Sequence, residues 1–260
     1  MRKPVIAGNW KMNKDVNEAI VLVNDIKREV FSVENVDIVV CPPFSDLGDV
    51  GEMLVESNIV LGAQNCYWQK EGAFTGEVSV GMLKSVGCRY VIIGHSERRQ
   101  YFGETDQTVN KRLKAAIEGG LAPIMCVGET LAEREAGKTL DVVRTQVTEG
   151  LRDFDEEFLY LLVIAYEPVW AIGTGKTATP DQAQEVHAFI RGILKELFSD
   201  SFAESRCILY GGSIKPDNIE DVMREEDVDG GLVGGASLKA ENFSDIVNKT
   251  SKLYAEIKKG

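Results

Sequence analysis

Histidine is scarce in this chain, with only His95 and His187, and its five cysteines (Cys41, Cys66, Cys88, Cys126 and Cys207) are scattered, odd in number and without a Cys-x-x-Cys pair. That excludes a disulfide framework and leaves no ligand set for a zinc centre, so neither a metal nor another cofactor is expected. Basic residues are in the minority: 29 Lys and Arg face 41 Asp and Glu, for a formal net charge of −12. A nucleic-acid partner, which requires a basic surface, is therefore not expected. No apolar run approaches the length of a membrane span, and Met-Arg-Lys-Pro leads into Val5-Ile-Ala without a signal-like apolar region, which predicts a cytoplasmic chain with no membrane partner. A Pro/Gly/Ser-rich linker, a low-complexity tract and a like-charge block are all missing too, so residues 1–260 are expected to form a single domain.

What the sequence does contain is alternation. Short apolar runs recur at Val5-Ile-Ala-Gly8, Asp37-Ile-Val-Val-Cys41, Ile59-Val-Leu-Gly-Ala63 and Tyr90-Val-Ile-Ile-Gly94. They continue at Ala122-Pro-Ile-Met-Cys-Val127, Leu161-Leu-Val-Ile-Ala-Tyr166, Cys207-Ile-Leu-Tyr210 and Gly230-Gly-Leu-Val233. Each is followed by a helix-compatible stretch, the pattern of an α/β fold with a parallel sheet and right-handed crossovers. Eight such units in 260 residues fit a closed (β/α)8 barrel, although periodicity alone leaves a doubly wound open sheet possible. The best-marked helix begins at Thr179-Pro-Asp-Gln182, which supplies an N-cap, a proline in the first turn and a capping box.

Chemistry gathers at the strand ends. Glu167 follows the sixth run and opens a segment in which Pro168 fixes a torsion and Gly173 and Gly175 supply freedom, a carboxylate base beneath a loop able to swing. His95 follows the fourth run beside Ser96, whose hydroxyl suits an N-cap; the helix field there disfavours a second proton on the imidazole. Asn9 and Lys11 follow the first run and offer an amide donor and a fixed cation. His187 lies within the helix after Pro180, in line with its apolar face, and reads as packing or surface. Glycines cluster after the last three runs, in Gly173-Thr-Gly175, Gly211-Gly-Ser213 and Gly234-Gly-Ala-Ser237, where backbone N–H groups can approach an anion. Gly173-Thr-Gly-Lys-Thr177 mimics the end of a P-loop, but the first glycine of that motif would fall at Trp170.

The blocks Gly8-Asn-Trp-Lys-Met-Asn13, Gly62-Ala-Gln-Asn65, Gly72-Ala-Phe-Thr-Gly-Glu77 and Gly94-His-Ser-Glu-Arg-Arg99 resemble the triosephosphate isomerase family. So do Cys126-Val-Gly-Glu129, Tyr166-Glu-Pro-Val-Trp-Ala-Ile-Gly-Thr-Gly175, Tyr210-Gly-Gly-Ser213 and Leu232-Val-Gly-Gly-Ala-Ser-Leu238. The resemblance implies a closed TIM barrel that interconverts dihydroxyacetone phosphate and D-glyceraldehyde 3-phosphate, a step of glycolysis and gluconeogenesis. It makes Glu167 the base, His95 the neutral electrophile, Lys11 and Asn9 stabilisers of the oxygen and phosphate, and Glu97 a supporting carboxylate. Gly173, Ser213, Gly234 and Gly235 would hold the phosphate, and residues 168–176 would form the lid. The stretch from Gln64 to Glu77 resembles a homodimer loop, with its Phe74-Thr75 tip reaching the other subunit's site. Another phosphosugar isomerase, or an aldolase with Lys11 as imine former, is the alternative on the same barrel.

Overall fold

Alternating side chains on eight parallel strands divide the interior of the molecule in two. The computed structural model describes residues 2–172 and 178–258. Its strands are β1 (Val5–Asn9), β2 (Asp37–Cys41), β3 (Ile59–Ala63), β4 (Tyr90–Ile93), β5 (Ala122–Val127), β6 (Val163–Tyr166), β7 (Cys207–Tyr210) and β8 (Gly230–Val233). They pair in sequence order, and β1 closes on β8 with Val5 opposite Gly230 and Gly8 opposite Val233. The sheet is therefore a closed (β/α)8 barrel, and the open doubly wound alternative is overturned.

Side chains of period two explain both cores. Val5, Ala7, Val39, Cys41, Ile92, Ile124, Cys126, Val163, Ala165, Leu209 and Leu232 pack together in the barrel lumen. Their neighbours Ile6, Ile38, Val40, Val91, Ile93, Met125, Ile164 and Ile208 face outward into the larger core beneath the helices. Runs buried on both faces read as continuous apolar sequence, which is why the strands were visible without alternation.

Predicted and observed strand bounds differ at three ends. β1 gains Asn9, which pairs with Cys41. β4 stops before Gly94, whose φ of +74° turns the chain out of the sheet. β6 begins only at Val163, because the preceding residues finish a helical turn in which the Leu162 N–H donates to the Leu159 carbonyl at 2.9 Å. The helix Pro180–Leu197 starts as expected, with a full capping box between Thr179 and Gln182. Among the described residues no helix is long and apolar enough to cross a membrane.

His187 of that helix is fully buried, its ring edge-on to Tyr166 at 5.9 Å and tilted against Tyr210 at 6.5 Å. Burial drives its pKa down to about 4, against a partial lift from the Asp227 carbonyl that its Nδ1 contacts at 3.1 Å. The unfolded chain therefore binds the proton first as pH falls, and stability is lost from about pH 6.5 down to about pH 4. The loss expected from this residue at pH 4 is about 3 kcal/mol relative to pH 7. Urea unfolding of the parent and of His187→Gln across that window checks it: the variant should show the shallower pH dependence.

Candidate active site

The residues singled out at the strand ends continue the inward-facing series of the lumen. Asn9 follows Val5 and Ala7 on β1, and Glu167 follows Val163 and Ala165 on β6. Gly211 follows Leu209, and Gly234 follows Leu232. Each projects at the mouth because it lies an even number of residues from a lumen side chain. His95 is the exception. It lies three residues beyond Ile92, and the left-handed turn at Gly94 brings it to the same place.

These residues line one cleft of about 680 Å³, which takes in Asn9, Lys11, His95 and Glu167 together with Gly211, Gly212, Ser213, Gly234 and Gly235. Positions 9, 11, 95 and 167 thus converge from three strands. Ser213, Gly234 and Gly235 line the same cleft from the β7 and β8 side. Gly173 and the rest of 173–177 lie outside the described residues, so the segment expected to be a lid is described only as far as Ile172.

Glu167 is almost wholly buried, and its carboxylate is fully engaged. Oε2 accepts the Ser96 N–H at 2.9 Å, while Oε1 lies 2.9 Å from His95 Nε2 and 3.3 Å from Ser96 Oγ. Sequence reasoning gave the capping role before Ser96–Tyr101 to Ser96. The cap is His95, whose Nδ1 accepts the Glu97 N–H at 3.2 Å, and Ser96 turns to the carboxylate. With Nδ1 accepting, the imidazole proton sits on Nε2, facing Glu167.

Charge is tightly coupled across this pair. Burial works against ionised Glu167, but His95, the hydrogen bond with it and the Ser96 N–H outweigh burial and hold the pKa below the usual carboxylate range. Burial likewise works against a charged His95, as does Lys11, yet Glu167 and Glu97 raise its pKa above the ordinary value. The expectation of a depressed histidine pKa is therefore reversed in this arrangement, because a carboxylate sits directly on Nε2.

Lys11 has a left-handed backbone, φ 54°, and its N–H donates to Asn9 Oδ1 at 3.1 Å. Its ammonium is paired with Glu97 Oε1 at 2.6 Å. Glu97 does not itself line the cleft, and acts on the site through Lys11 and through His95, whose Nδ1 lies 3.5 Å from Glu97 Oε2. Gln64 Nε2 secures the loop from beneath, donating to the carbonyls of Lys11 at 2.8 Å and Cys41 at 2.9 Å.

One residue that shapes the site was quoted in the sequence reading without a role. Glu129, fully buried just beyond β5, accepts from Tyr166 Oη at 3.1 Å and Trp170 Nε1 at 2.8 Å, and its carbonyl accepts the Val169 N–H. It fixes the start of the segment that follows Glu167. The rule that drew attention to Glu167, an acid just past a strand end, would have found it. Gly128 beside it is required, since a Cβ there would lie 1.8 Å from the Glu167 carbonyl oxygen.

A family model described as triosephosphate isomerase matches residues 4–250 of the chain. A triosephosphate isomerase of Endomicrobium trichonymphae is 58% identical over 247 residues, covering 95% of this chain and 98% of that one. One from Geobacter metallireducens is 57% identical over 248 residues (95% and 99%). Another from Carboxydothermus hydrogenoformans is 58% identical over 247 residues (95% and 98%).

Proposed function

Since the chain belongs to the triosephosphate isomerase family and interconverts dihydroxyacetone phosphate and D-glyceraldehyde 3-phosphate, we propose that Glu167 moves the carbon-bound proton while His95, Lys11 and Asn9 serve the oxygens. The observation that carries this assignment is the single cleft shared by all four side chains and the β7–β8 glycines. Glu167 takes a proton from the carbon next to the carbonyl and returns it to the neighbouring carbon. Between these steps the electron pair rests on an enediolate, so no electrons leave the substrate. A positioned base contributes roughly 10²–10⁴-fold to such a step. Stabilisation of the developing oxyanion must supply much of the remainder.

The hydrogen bonds of Glu167 favour this division of labour. To reach carbon, the carboxylate leaves His95 and the Ser96 N–H, the contacts that hold its pKa down. Burial, which raises its proton affinity, stays, so the base strengthens as it approaches the substrate. His95 loses the carboxylate that favours its second proton, while burial and Lys11 still oppose it. What is left is a neutral imidazole with an Nε2–H for the oxygen. Lys11, held by Glu97, adds positive charge, and Asn9 a hydrogen bond. An ammonium in an ion pair is a poor imine former, which argues against the aldolase reading.

Backbone N–H groups at Gly173, Ser213, Gly234 and Gly235 take the phosphate, and closure of 168–176 over the cleft keeps water from the enediolate. A crystal structure with a phosphate-bearing enediolate analogue tests the whole assignment. Its carbon-oxygen end should lie between Glu167 and His95, and a phosphate away from Gly234 would refute the cradle.

The working unit is a homodimer built through 64–77, in a cytoplasmic enzyme of one domain. Residues 69–77 form a continuously exposed stretch with Phe74 40% exposed, and Met12 near the cleft is 95% exposed, apolar surface that a second copy would cover. Sedimentation at micromolar concentration should give a dimer, and Phe74→Asp should yield monomers with reduced activity. A fully active monomer would contradict the assignment.

A further inference from the structure

The cleft must attract an anion in a molecule that repels one. With a formal charge of −12 the protein offers no long-range pull on a phosphate ester, which carries about −1.5 to −2 at pH 7. Nor does Lys11 remedy this, since Glu97 sits on its ammonium at 2.6 Å. Glu167 and Asp217 add two further negative charges to the lining.

Two other lysines answer them. Lys215, after β7, and Lys239, after β8, both line the cleft from its exposed margin, and neither has an ion-pair partner among the described residues. With Lys11 cancelled by Glu97, the two lysines bring the local balance from two net negative charges to neutrality. Lys215 follows Ser213 by two residues and Lys239 follows Gly235 by four, so both stand on the side of the glycine cradle. The 3-10 turn Gly235–Leu238 carries Lys239 directly at its end, and Ser237 ties that turn down through Oγ to the Gly234 carbonyl at 2.7 Å. Lys215 is steadied by its own N–H, which donates to Asn218 Oδ1 at 2.8 Å.

We propose that Lys215 and Lys239 form a capture rim that draws the phosphate end of the substrate toward Gly234 and Gly235, and that they set the rate of productive encounter rather than the rate of chemistry. The proposal rests on the phosphate cradle described above. A fixed pair of unpaired cations at the lip of a cleft acts over a Debye length, about 30 Å at 0.01 M salt and about 3 Å at 1 M. Focusing of this kind changes association rates by roughly 10–10³-fold.

The test is kcat/KM for D-glyceraldehyde 3-phosphate with the parent and with Lys215→Gln/Lys239→Gln, at low and high ionic strength. At low salt the double variant should lose about tenfold in kcat/KM, the lower end of the steering range, with kcat changed less than about twofold. The parent should slow as salt rises until the two proteins converge, and Lys215→Arg/Lys239→Arg should keep both the rate and the salt slope. An equal loss at every salt concentration, or no loss at low salt, overturns the rim. Gly234→Ala separates this from the cradle, because its methyl would stand in the cleft, 3.6 Å from Lys11 Cε, at a residue proposed to hold the phosphate. That variant should raise KM at all salt concentrations. An unchanged KM there would remove the cradle itself, whereas an impaired Gly234→Ala beside an unaffected lysine pair would remove only the rim.

Discussion

Glu167→Asp should lower kcat by about 10²-fold or more, because withdrawing the carboxylate by one methylene misplaces it by roughly 1 Å. The backbone cannot compensate. Glu167 N–H donates to the Val127 carbonyl at 2.7 Å, and Gly128 packs directly under the Glu167 carbonyl, so the main chain at 167 is held from β5. KM should change little, since the proposed phosphate contacts at Ser213, Gly234 and Gly235 stand after β7 and β8, away from the altered side chain. Steady-state kinetics in both directions measures this, and near-normal turnover would remove Glu167 from its role as base.

Lys11→Met keeps the length of the side chain and deletes its charge. The expected loss in kcat/KM is about 10²–10³-fold, the cost of removing one preorganised stabiliser of a developing oxyanion. Here the defect should divide between KM and kcat, because Lys11 stands close to Gly234 and also faces His95 and Glu167 across the cleft. Glu97 is left unpaired in the same variant, so Lys11→Met/Glu97→Gln is the informative partner. If the loss came from the stranded carboxylate, the double variant would regain activity; if it came from the missing cation, it would not.

Much of this site was legible before any coordinates. Asn9, Lys11, His95 and Glu167 each follow an apolar run, and a parallel α/β fold sends such positions to one edge. Closure was legible only through the count of eight units and the family resemblance, because the pairing of β1 with β8 leaves no periodic trace in either strand. The protonation logic was not legible. The field at the start of the helix Ser96–Tyr101 is a local property, whereas the carboxylate that raises the His95 pKa comes from β6, 72 residues away along the chain. Hydrogen-bond partners of that kind cannot be read from neighbours in sequence. The capping assignment failed for a related reason: Ser96 is an apt N-cap by type, but its hydroxyl and N–H are drawn to Glu167, and His95 takes the vacant position.

The even spacing that carries Asn9, Glu167, Gly211 and Gly234 into the mouth of the barrel imposes a parity rule on sequence change. A single-residue insertion between Ala165 and Glu167 would aim the acid at the helical jacket, and a second insertion would aim it back. Loop lengths beyond the mouth are free of that arithmetic, and natural variation in chain length is expected to accumulate there. His95 obeys the opposite parity and depends on the mirror-image torsion at Gly94, so the imidazole and the carboxylate would be knocked out of alignment by different kinds of mutation.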